Sequence, residues 1–140
     1  YGLAGIRIGY GICDPELASY LERARHPFNV NKLAEVAALA ALDDTEHAQR
    51  TLDLNAAGID YLTTELAKLG IETWPTDANF ILAKTGAAIF DALLSRGIII
   101  RPMAGFGLKD HTRISIGLPE ENERLIKAIS EIRADEEGTA

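Results

Sequence analysis

The chain begins with Tyr1-Gly-Leu-Ala-Gly-Ile-Arg-Ile-Gly-Tyr-Gly-Ile12, and this stretch decides how the remaining sequence is interpreted. Its apolar residues alternate with glycines and one arginine, a spacing that predicts a β-strand. Arg7 then shares a face with Gly9 and Gly11, where a ligand could approach the backbone closely. A planar guanidinium suits a phosphate because it donates two parallel charge-assisted hydrogen bonds. The pattern alone leaves open a simpler interpretation, in which the glycine face is a place where a helix packs closely.

The first ten residues resemble the segment that follows the cofactor lysine in class I/II aminotransferases, the pyridoxal-phosphate enzymes of fold-type I. In that family a Ser-Lys pair stands just upstream, and its lysine forms a Schiff base with the cofactor. The resemblance therefore implies that the Schiff-base lysine precedes Tyr1, and that the chain is the C-terminal part of an enzyme without a catalytic residue of its own. It also implies that Arg7 grips the phosphate of pyridoxal 5'-phosphate.

Composition and charge narrow the class of protein. The 140 residues are 47% hydrophobic and 25% charged, which is typical of a globular domain of ordinary size. A net charge of −7 argues against nucleic acid as a partner. No apolar run approaches the roughly 18 residues that a membrane span needs. The single cysteine, Cys13, excludes an internal disulfide and a cysteine-cluster metal site, and it favours a reducing, cytoplasmic location.

Three helices are predicted in the first half of the chain. The pair Asp14-Pro15 begins the first helix, and residues 26–29 break it. Asn31 caps an alanine-rich second helix. A third and longer helix opens at Asp43-Asp44-Thr45 and ends before Gly70. Its apolar stripe consists of Leu52, Ala56, Ile59, Leu62, Leu66 and Leu69, and Gly58 within it predicts a close crossing.

After Gly70 short strands alternate with helices, so the predicted fold class is α/β. Strands are expected at residues 71–74, 79–84, 98–101 and 113–117, and helices at 87–96 and from Pro119 onward, with Ile89, Phe90, Leu93 and Leu94 of the former facing inward. By the resemblance, residues 1–44 are a remnant of a large cofactor-binding domain, and residues 45–70 form an interdomain helix. Residues 71–134 are then a small C-terminal α/β domain, followed by an acidic, frayed tail at 135–140.

Two arginines flank a glycine-rich loop at residues 102–108. Arg101 ends one predicted strand and Arg113 begins another. If these strands are antiparallel neighbours, the two guanidinium groups lie close together. Like charges held together are unfavourable unless they share an anion, and a carboxylate or phosphate is the natural candidate. The alternative is a pair of solvated arginines, or arginines paired with acids such as Asp110.

Further stretches extend the resemblance to one branch of the family, the histidinol-phosphate aminotransferases. They lie at residues 27–31, 77–82, 100–108 and 112–122. Within the third, Arg101-Pro-Met-Ala-Gly-Phe-Gly107 is more specific than the opening motif of the chain. The resemblance implies that Arg113 binds the glutamate carboxylate and that Arg101 lies near the substrate phosphate. It implies amino-group exchange between histidinol phosphate and 2-oxoglutarate or glutamate, in a homodimer with sites at the subunit interface. Another class I/II aminotransferase or a threonine-phosphate decarboxylase is the nearest competitor.

Other reactive side chains are weaker candidates. None of the five lysines stands in a Ser-Lys pair: Lys32, Lys68, Lys84, Lys109 and Lys127. The three histidines, His26, His47 and His111, lack metal-ligand spacing, so no metal is expected and surface or capping roles are favoured. Cys13 has no histidine nearby in sequence to activate it, and Trp74 is interpreted as strand-end packing.

A second hypothesis from another class is a non-catalytic module that holds an anion between Arg101 and Arg113. The segment before residue 45 argues against it, because a free-standing module would hardly keep a cofactor-phosphate strand without its domain. That segment also has too little chain to cover its apolar surface. We therefore expect it to be prone to aggregation or swapping, while residues 71–134 stay ordered. Without the lysine, the chain alone is expected not to transaminate.

Overall fold

The structure, a computed structural model, describes residues 1–137, with side chains as far as Asp135. Short 3-10 turns lie at Ala4–Ile6 and Ala104–Phe106. The helices are α1 (Pro15–Ala24), α2 (Lys32–Asp43), α3 (Thr45–Lys68), α4 (Ile89–Ser95) and α5 (Pro119–Glu137), and the strands are β1 (Phe80–Ala83), β2 (Arg101–Pro102) and β3 (Thr112–Ser115). The chain forms two compact units, Tyr1–Thr51 and a second that begins at Leu52 within α3.

The opening stretch is not the β-strand that its alternation predicts. The backbone instead makes a 3-10 turn, in which the N–H of Ile6 donates to the carbonyl of Leu3 and that of Arg7 to Ala4. Arg7 closes the turn in the left-handed region, with φ of 62°. A strand satisfies its backbone groups through a neighbouring strand, and the first unit contains none among its described residues. The local turn meets part of that need instead.

The first two helices begin where the sequence predicts. The Asp14 carboxylate accepts a hydrogen bond from the N–H of Glu16 at 2.8 Å, and Pro15 occupies the first helical position. The Asn31 side chain accepts from the N–H of Ala34, also at 2.8 Å. Phe28, in the connection between the helices, has φ of 57°. Both predicted caps and the predicted break are therefore confirmed.

The long helix α3 ends at a glycine, as expected. Gly70 has φ of 69°, and the N–H of Ile71 reaches back to the carbonyl of Leu66 at 2.9 Å. Of the predicted stripe, Leu62 and Leu66 are fully buried, whereas Leu52 at the start is exposed. A Cβ atom built on Gly58 would lie 2.3 Å from the Ile116 side chain, so the predicted close crossing is confirmed.

The sheet is antiparallel, with strand order β1-β3-β2. Ile81 pairs with Ile114 across β1 and β3, and both are buried. Because side chains alternate along a strand, the residues between them belong to the opposite face. The buried face packs on helices α3, α4 and α5 in one core. Its buried members include Leu62, Leu66, Ile81, Leu93, Ile114, Leu125, Ala128, Ile129 and Ile132.

Several predicted elements are shorter or absent. The expected strand at 71–74 is a single bridge between Thr73 and Ala83. The expected buried strand at 98–101 is replaced by β2, which is exposed and starts at Arg101. Of its three isoleucines, Ile100 is buried while Ile99 is 80% exposed, so only part of that apolar run meets the core. Helix α4 has 7 residues, about two turns, rather than the full span 87–96, and Leu94 faces solvent.

Part of the expected frayed tail lies in helix α5, which continues past Asp135 to Glu137. Arg96, which follows α4, forms an ion pair with the Asp135 carboxylate at 3.1 Å. Fraying of this end stays a prediction. The remainder of the predicted tail lies outside the described residues. The division into a large-domain remnant, an interdomain helix and a small domain stays a prediction.

Candidate anion-binding site

The structure places Arg101 and Arg113 directly opposite each other. They are register partners across the antiparallel strands β2 and β3, which confirms the predicted neighbourhood of these strands. Arg113 alternates with the buried residues Thr112 and Ile114, so both arginines belong to the sheet face turned away from the core. Two positively charged side chains therefore share one surface of the second unit.

Neither arginine has an acidic partner among residues 1–135. Asp110, the acid considered from the sequence, is not within ion-pair distance of either guanidinium. Arg113 is half-buried, and its Nε is buried without a hydrogen-bond partner. A buried donor left unsatisfied costs about 1–3 kcal/mol, and such a group in a folded protein calls for an explanation. An anion held between the two arginines would supply the missing acceptor.

The guanidinium of each arginine lies over a different phenylalanine ring. The Cζ of Arg113 lies 4.9 Å from the ring centre of Phe80, and the Cζ of Arg101 lies 5.7 Å from that of Phe106. Both distances are within the roughly 6 Å over which a cation interacts with an aromatic face. Neither ring was predicted from the sequence to belong to this site. Strand alternation would have placed Phe80 on the face of Arg113 had the pairing of β1 with β3 been known.

The loop between the two arginines is held by hydrogen bonds between its own backbone groups. The N–H of Met103 donates to the carbonyl of His111 at 3.0 Å, and the N–H of His111 donates to Leu108 at 3.2 Å. A 3-10 turn at Ala104–Phe106 follows, and Gly107 ends it with φ of 83°, a conformation that favours glycine. The bond between Met103 and His111 continues the pairing of β2 with β3 beyond the sheet.

His111 corrects another expectation, because it has neither a surface nor a capping role. Its ring lies 5.0 Å from that of Trp74, tilted by 48°, and its Nδ1 is buried without a hydrogen-bond partner. Trp74 packs in this way at the end of the segment that bridges to β1, although that segment is not a full strand. His26 and His47 are exposed.

Arg7 lies in the first unit, in the turn described above. Its guanidinium is exposed, and Nη1 donates to the carbonyl of Ala4 at 3.0 Å. The remaining N–H groups of its fork have no partner among the described residues. A Cβ atom built on Gly9 or Gly11 would meet nothing within 4 Å, so the backbone at these two glycines is open. The strand that would have set them on the face of Arg7 is absent from residues 1–12, all of which the structure describes. The charge and the free donors of Arg7 fit a phosphate group.

Other reactive groups of the described residues do not form a site. Cys13 is free and exposed, and the described residues contain no cluster of three or more His, Cys, Asp or Glu that could hold a metal. None of the described helices is both long and apolar enough to cross a membrane. A cavity of about 190 Å³ between α3 and the first turn of α5 is lined largely by apolar groups and by Tyr61. Burial, followed by the charges of Glu65 and Glu123, raises the pKa of the Tyr61 phenol, which therefore stays protonated at neutral pH.

The fold and this surface define an α/β protein whose open sheet face carries a pair of arginines without acidic partners in the described residues. The chain belongs to the class I and II aminotransferases, since the family model "Aminotransferase class I and II" matches residues 1–129. It is 50% identical to histidinol-phosphate aminotransferase 2 of Ralstonia nicotianae, an alignment that covers 100% of this chain and 39% of that protein. The chain therefore spans well under half the length of this curated relative.

Solved structures match the fold as well. The histidinol-phosphate aminotransferase of Clostridium acetobutylicum superposes with a TM-score of 0.85 at 30% identity, over 96% of this chain and 43% of that one. The enzyme of the same name from Sinorhizobium meliloti, solved in complex with pyridoxal-5'-phosphate, gives a TM-score of 0.78 at 29% identity, over 94% and 39% of the two chains. The chain thus has the fold of the corresponding part of a fold-type I aminotransferase.

Proposed function

We propose that this chain is part of a pyridoxal-phosphate-dependent aminotransferase of histidine biosynthesis. The reaction is exchange of an amino group between histidinol phosphate and 2-oxoglutarate or glutamate. The observation that carries the proposal is the facing pair Arg101 and Arg113, which has no acidic partner among the described residues and includes a buried, unbonded Nε. The names of the similar enzymes support the choice of substrate.

Arg113 and Arg101 have different proposed roles at this surface. Arg113 binds the glutamate carboxylate and also contacts the phosphate of histidinol phosphate, while Arg101 serves mainly the phosphate. A guanidinium can accept both anions because each presents paired oxygens at a similar spacing. Neither arginine can act as a proton-transfer base, since a guanidinium stays charged in proteins. Their contribution is binding and orientation.

Arg7 is the proposed anchor for the cofactor phosphate. Its exposed fork and its free N–H donors suit that role. Bound pyridoxal phosphate supplies an electron-accepting ring for amino-group transfer, and the protein contributes its placement. Removing Arg7 should therefore weaken cofactor retention, and added pyridoxal phosphate should restore part of the activity.

The remaining features of the proposal concern the whole protein. We propose a cytoplasmic homodimer in which residues 1–44 belong to the cofactor-binding domain, 45–70 link the domains and 71–134 form the small domain. The 140-residue chain alone should not turn over histidinol phosphate, because none of its lysines follows a serine in the way the family's lysine does. Borohydride treatment of the chain with pyridoxal phosphate should trap the cofactor on no single lysine.

The test is kinetic and uses a full-length enzyme that contains these residues. Arg113→Ala should raise the KM for glutamate and for histidinol phosphate alike, with a loss of about 30- to 1,000-fold in kcat/KM, because a charge-assisted contact is worth about 2–4 kcal/mol. Arg101→Ala should harm the phosphate substrate more than glutamate. Arg124→Ala is the matched control, because Arg124 is an exposed arginine of the same unit that bonds only the Arg96 carbonyl in the described residues.

The outcomes separate the candidate functions. If Arg113→Ala leaves both kcat/KM values within about threefold of the parent, the shared-anion role is wrong. Release of carbon dioxide from threonine phosphate, without amino-group transfer, would support the decarboxylase alternative. Saturable phosphate binding by a full-length protein that turns over neither substrate would support the non-catalytic module.

A further inference from the structure

We infer that Phe80 is a positioning residue that holds the Arg113 guanidinium ready to receive an anion. The inference rests on the anion site proposed above, and it assigns to the aromatic ring a part in that site. It is carried by the contact between the two side chains and by the unbonded, buried Nε of Arg113.

The sheet register explains why Phe80 reaches Arg113. Phe80 pairs with Ser115, and Leu82 pairs with Arg113. Phe80 and Arg113 are therefore diagonal neighbours on one face of the sheet, a separation that an aromatic ring and a long side chain can bridge. The Cζ of Arg113 lies 4.9 Å from the ring centre. Both residues are half-buried and sit on rigid strands that pair over four residues.

The Phe80 ring restricts the orientation and the hydrogen bonding of the Arg113 guanidinium. The guanidinium carbon lies over the face of the ring, where the cation gains attraction but where the ring offers no oxygen or nitrogen acceptor. The N–H groups of Arg113 must find such acceptors elsewhere. In the described residues the Nε–H has none. A guanidinium that is already fixed in one orientation loses less freedom on binding an anion, so a preformed support strengthens binding.

Arg101 provides an internal contrast. Its ring partner, Phe106, is 66% exposed and belongs to the 3-10 turn of the loop, at the longer distance of 5.7 Å. Arg101 itself is exposed on the two-residue strand β2. Its guanidinium is therefore held less firmly. We expect loss of Phe106 to matter less for anion binding than loss of Phe80.

The first arm of the experiment needs no anion. Nitrogen NMR of the 140-residue chain follows the Nε–H and Nη signals of Arg113. In the parent, rotation about the Nε–Cζ bond should be slow and the Nε–H signal should carry a ring-current shift. Phe80→Leu should abolish the shift and speed the rotation, whereas Phe80→Tyr should preserve both. Phe90→Leu is the matched control, because Phe90 packs against the core from α4 rather than on the arginine face.

The second arm adds inorganic phosphate at constant ionic strength. Phosphate should shift the Arg113 Nε–H signal saturably. Phe80→Leu should raise the apparent Kd by about 2- to 30-fold, the range that cation–aromatic contacts span. Phe80→Tyr and Phe90→Leu should stay within about twofold of the parent, and Phe106→Leu should fall between.

The two arms distinguish this inference from the proposed function. If Phe80→Leu leaves the Arg113 signals unchanged, or if Phe90→Leu alters them equally, the positioning role is overturned whatever the enzyme does. If the first arm succeeds and the parent binds no phosphate, Phe80 still positions Arg113, and it is the shared-anion site that fails. Full success of both arms supports the complete inference.

Discussion

The helices of the two compact units are stabilised by different interactions. In the first unit, α1 and α2 begin at side-chain caps, yet the one residue of either helix that is buried is Ala34. In the second unit, helices α3, α4 and α5 share a continuous buried core with the sheet. Leucines within helices of the two units therefore differ widely in solvent exposure: Leu39 of α2 is 65% exposed, whereas Leu62 of α3 is fully buried.

This difference indicates which interactions supply most of the stability of each unit. Isolated helices shorter than about 12–15 residues are marginal in water, and α1 and α2 have 10 and 12 residues. Caps add about 1 kcal/mol each, whereas full burial of a leucine contributes about 1.5–3 kcal/mol. The second unit should therefore unfold cooperatively through its core, and the helices of the first should depend on local bonds.

The largest expected effect comes from a pair of identical substitutions. Leu62→Ala should lower the free energy of unfolding by about 2–5 kcal/mol, because it leaves a cavity in the core. Leu39→Ala should change it by less than about 0.5 kcal/mol, as is usual at exposed positions. The change in helix propensity is the same in both, so burial alone separates them. Urea unfolding of the two variants, with equal m-values, is the measurement.

Equal losses in the two leucine variants would contradict the comparison. That result would mean that the first unit buries Leu39 in solution, for instance by self-association. Sedimentation at several concentrations would then detect the association directly, because a buried face between copies makes stability depend on protein concentration.

A smaller effect is expected where α3 lies close to Ile116, the residue after β3. Gly58→Ala places a methyl group 2.3 Å from the β-branched Ile116, and overpacking of this kind costs about 1–3 kcal/mol. Alanine is the better helix former by about 1 kcal/mol, so a net loss of up to about 2 kcal/mol remains.

Gly105→Ala is the matched control for the crossing. A Cβ atom at Gly105 would meet nothing within 4 Å, so this variant should unfold within about 0.5 kcal/mol of the parent. Thermal unfolding followed by circular dichroism compares the two. If Gly58→Ala melts at or above the parent temperature, the crossing has more room than the structure gives it.

The parts of the fold that were predictable from sequence are those fixed by local chemistry. Asp14, Asn31 and Gly70 each mark a helix boundary, because their preference arises from bonds or dihedral angles within a few residues. Gly58 was informative for a related reason, since a glycine inside a helix is costly unless something packs against it. Leu62 and Leu66 of the predicted stripe in α3 are buried, as the period of that stripe indicates.

The parts that failed depend on partners far away in sequence. The alternation in residues 1–12 predicts a strand, but a strand forms only where another strand lies beside it. The sequence predicted that Arg101 and Arg113 lie close together if their two strands are antiparallel neighbours, and they are. The contact between Phe80 and Arg113 depends in addition on the pairing of β1 with β3, which the sequence did not predict. A half-buried His111 against Trp74 was equally beyond local reasoning.

The smallest effect should be confined to one helix of the first unit. Asn31→Ala removes the oxygen that caps α2, which typically costs about 0.5–2 kcal/mol of helix stability, and hardly any core is present to compensate. Amide hydrogen exchange should become faster throughout α2, while α5 in the second unit keeps the exchange rates of the parent.

The Asn31 amide also donates to the carbonyl of Ile6 at 3.3 Å, so two contacts are lost together. Asn31→Asp separates them, because the carboxylate keeps the cap and favours a helix N-terminus but cannot donate to Ile6. Parent-like exchange in Asn31→Asp would identify the cap as the stabilising bond, whereas faster exchange in that variant would assign the stability of α2 to its contact with the opening turn.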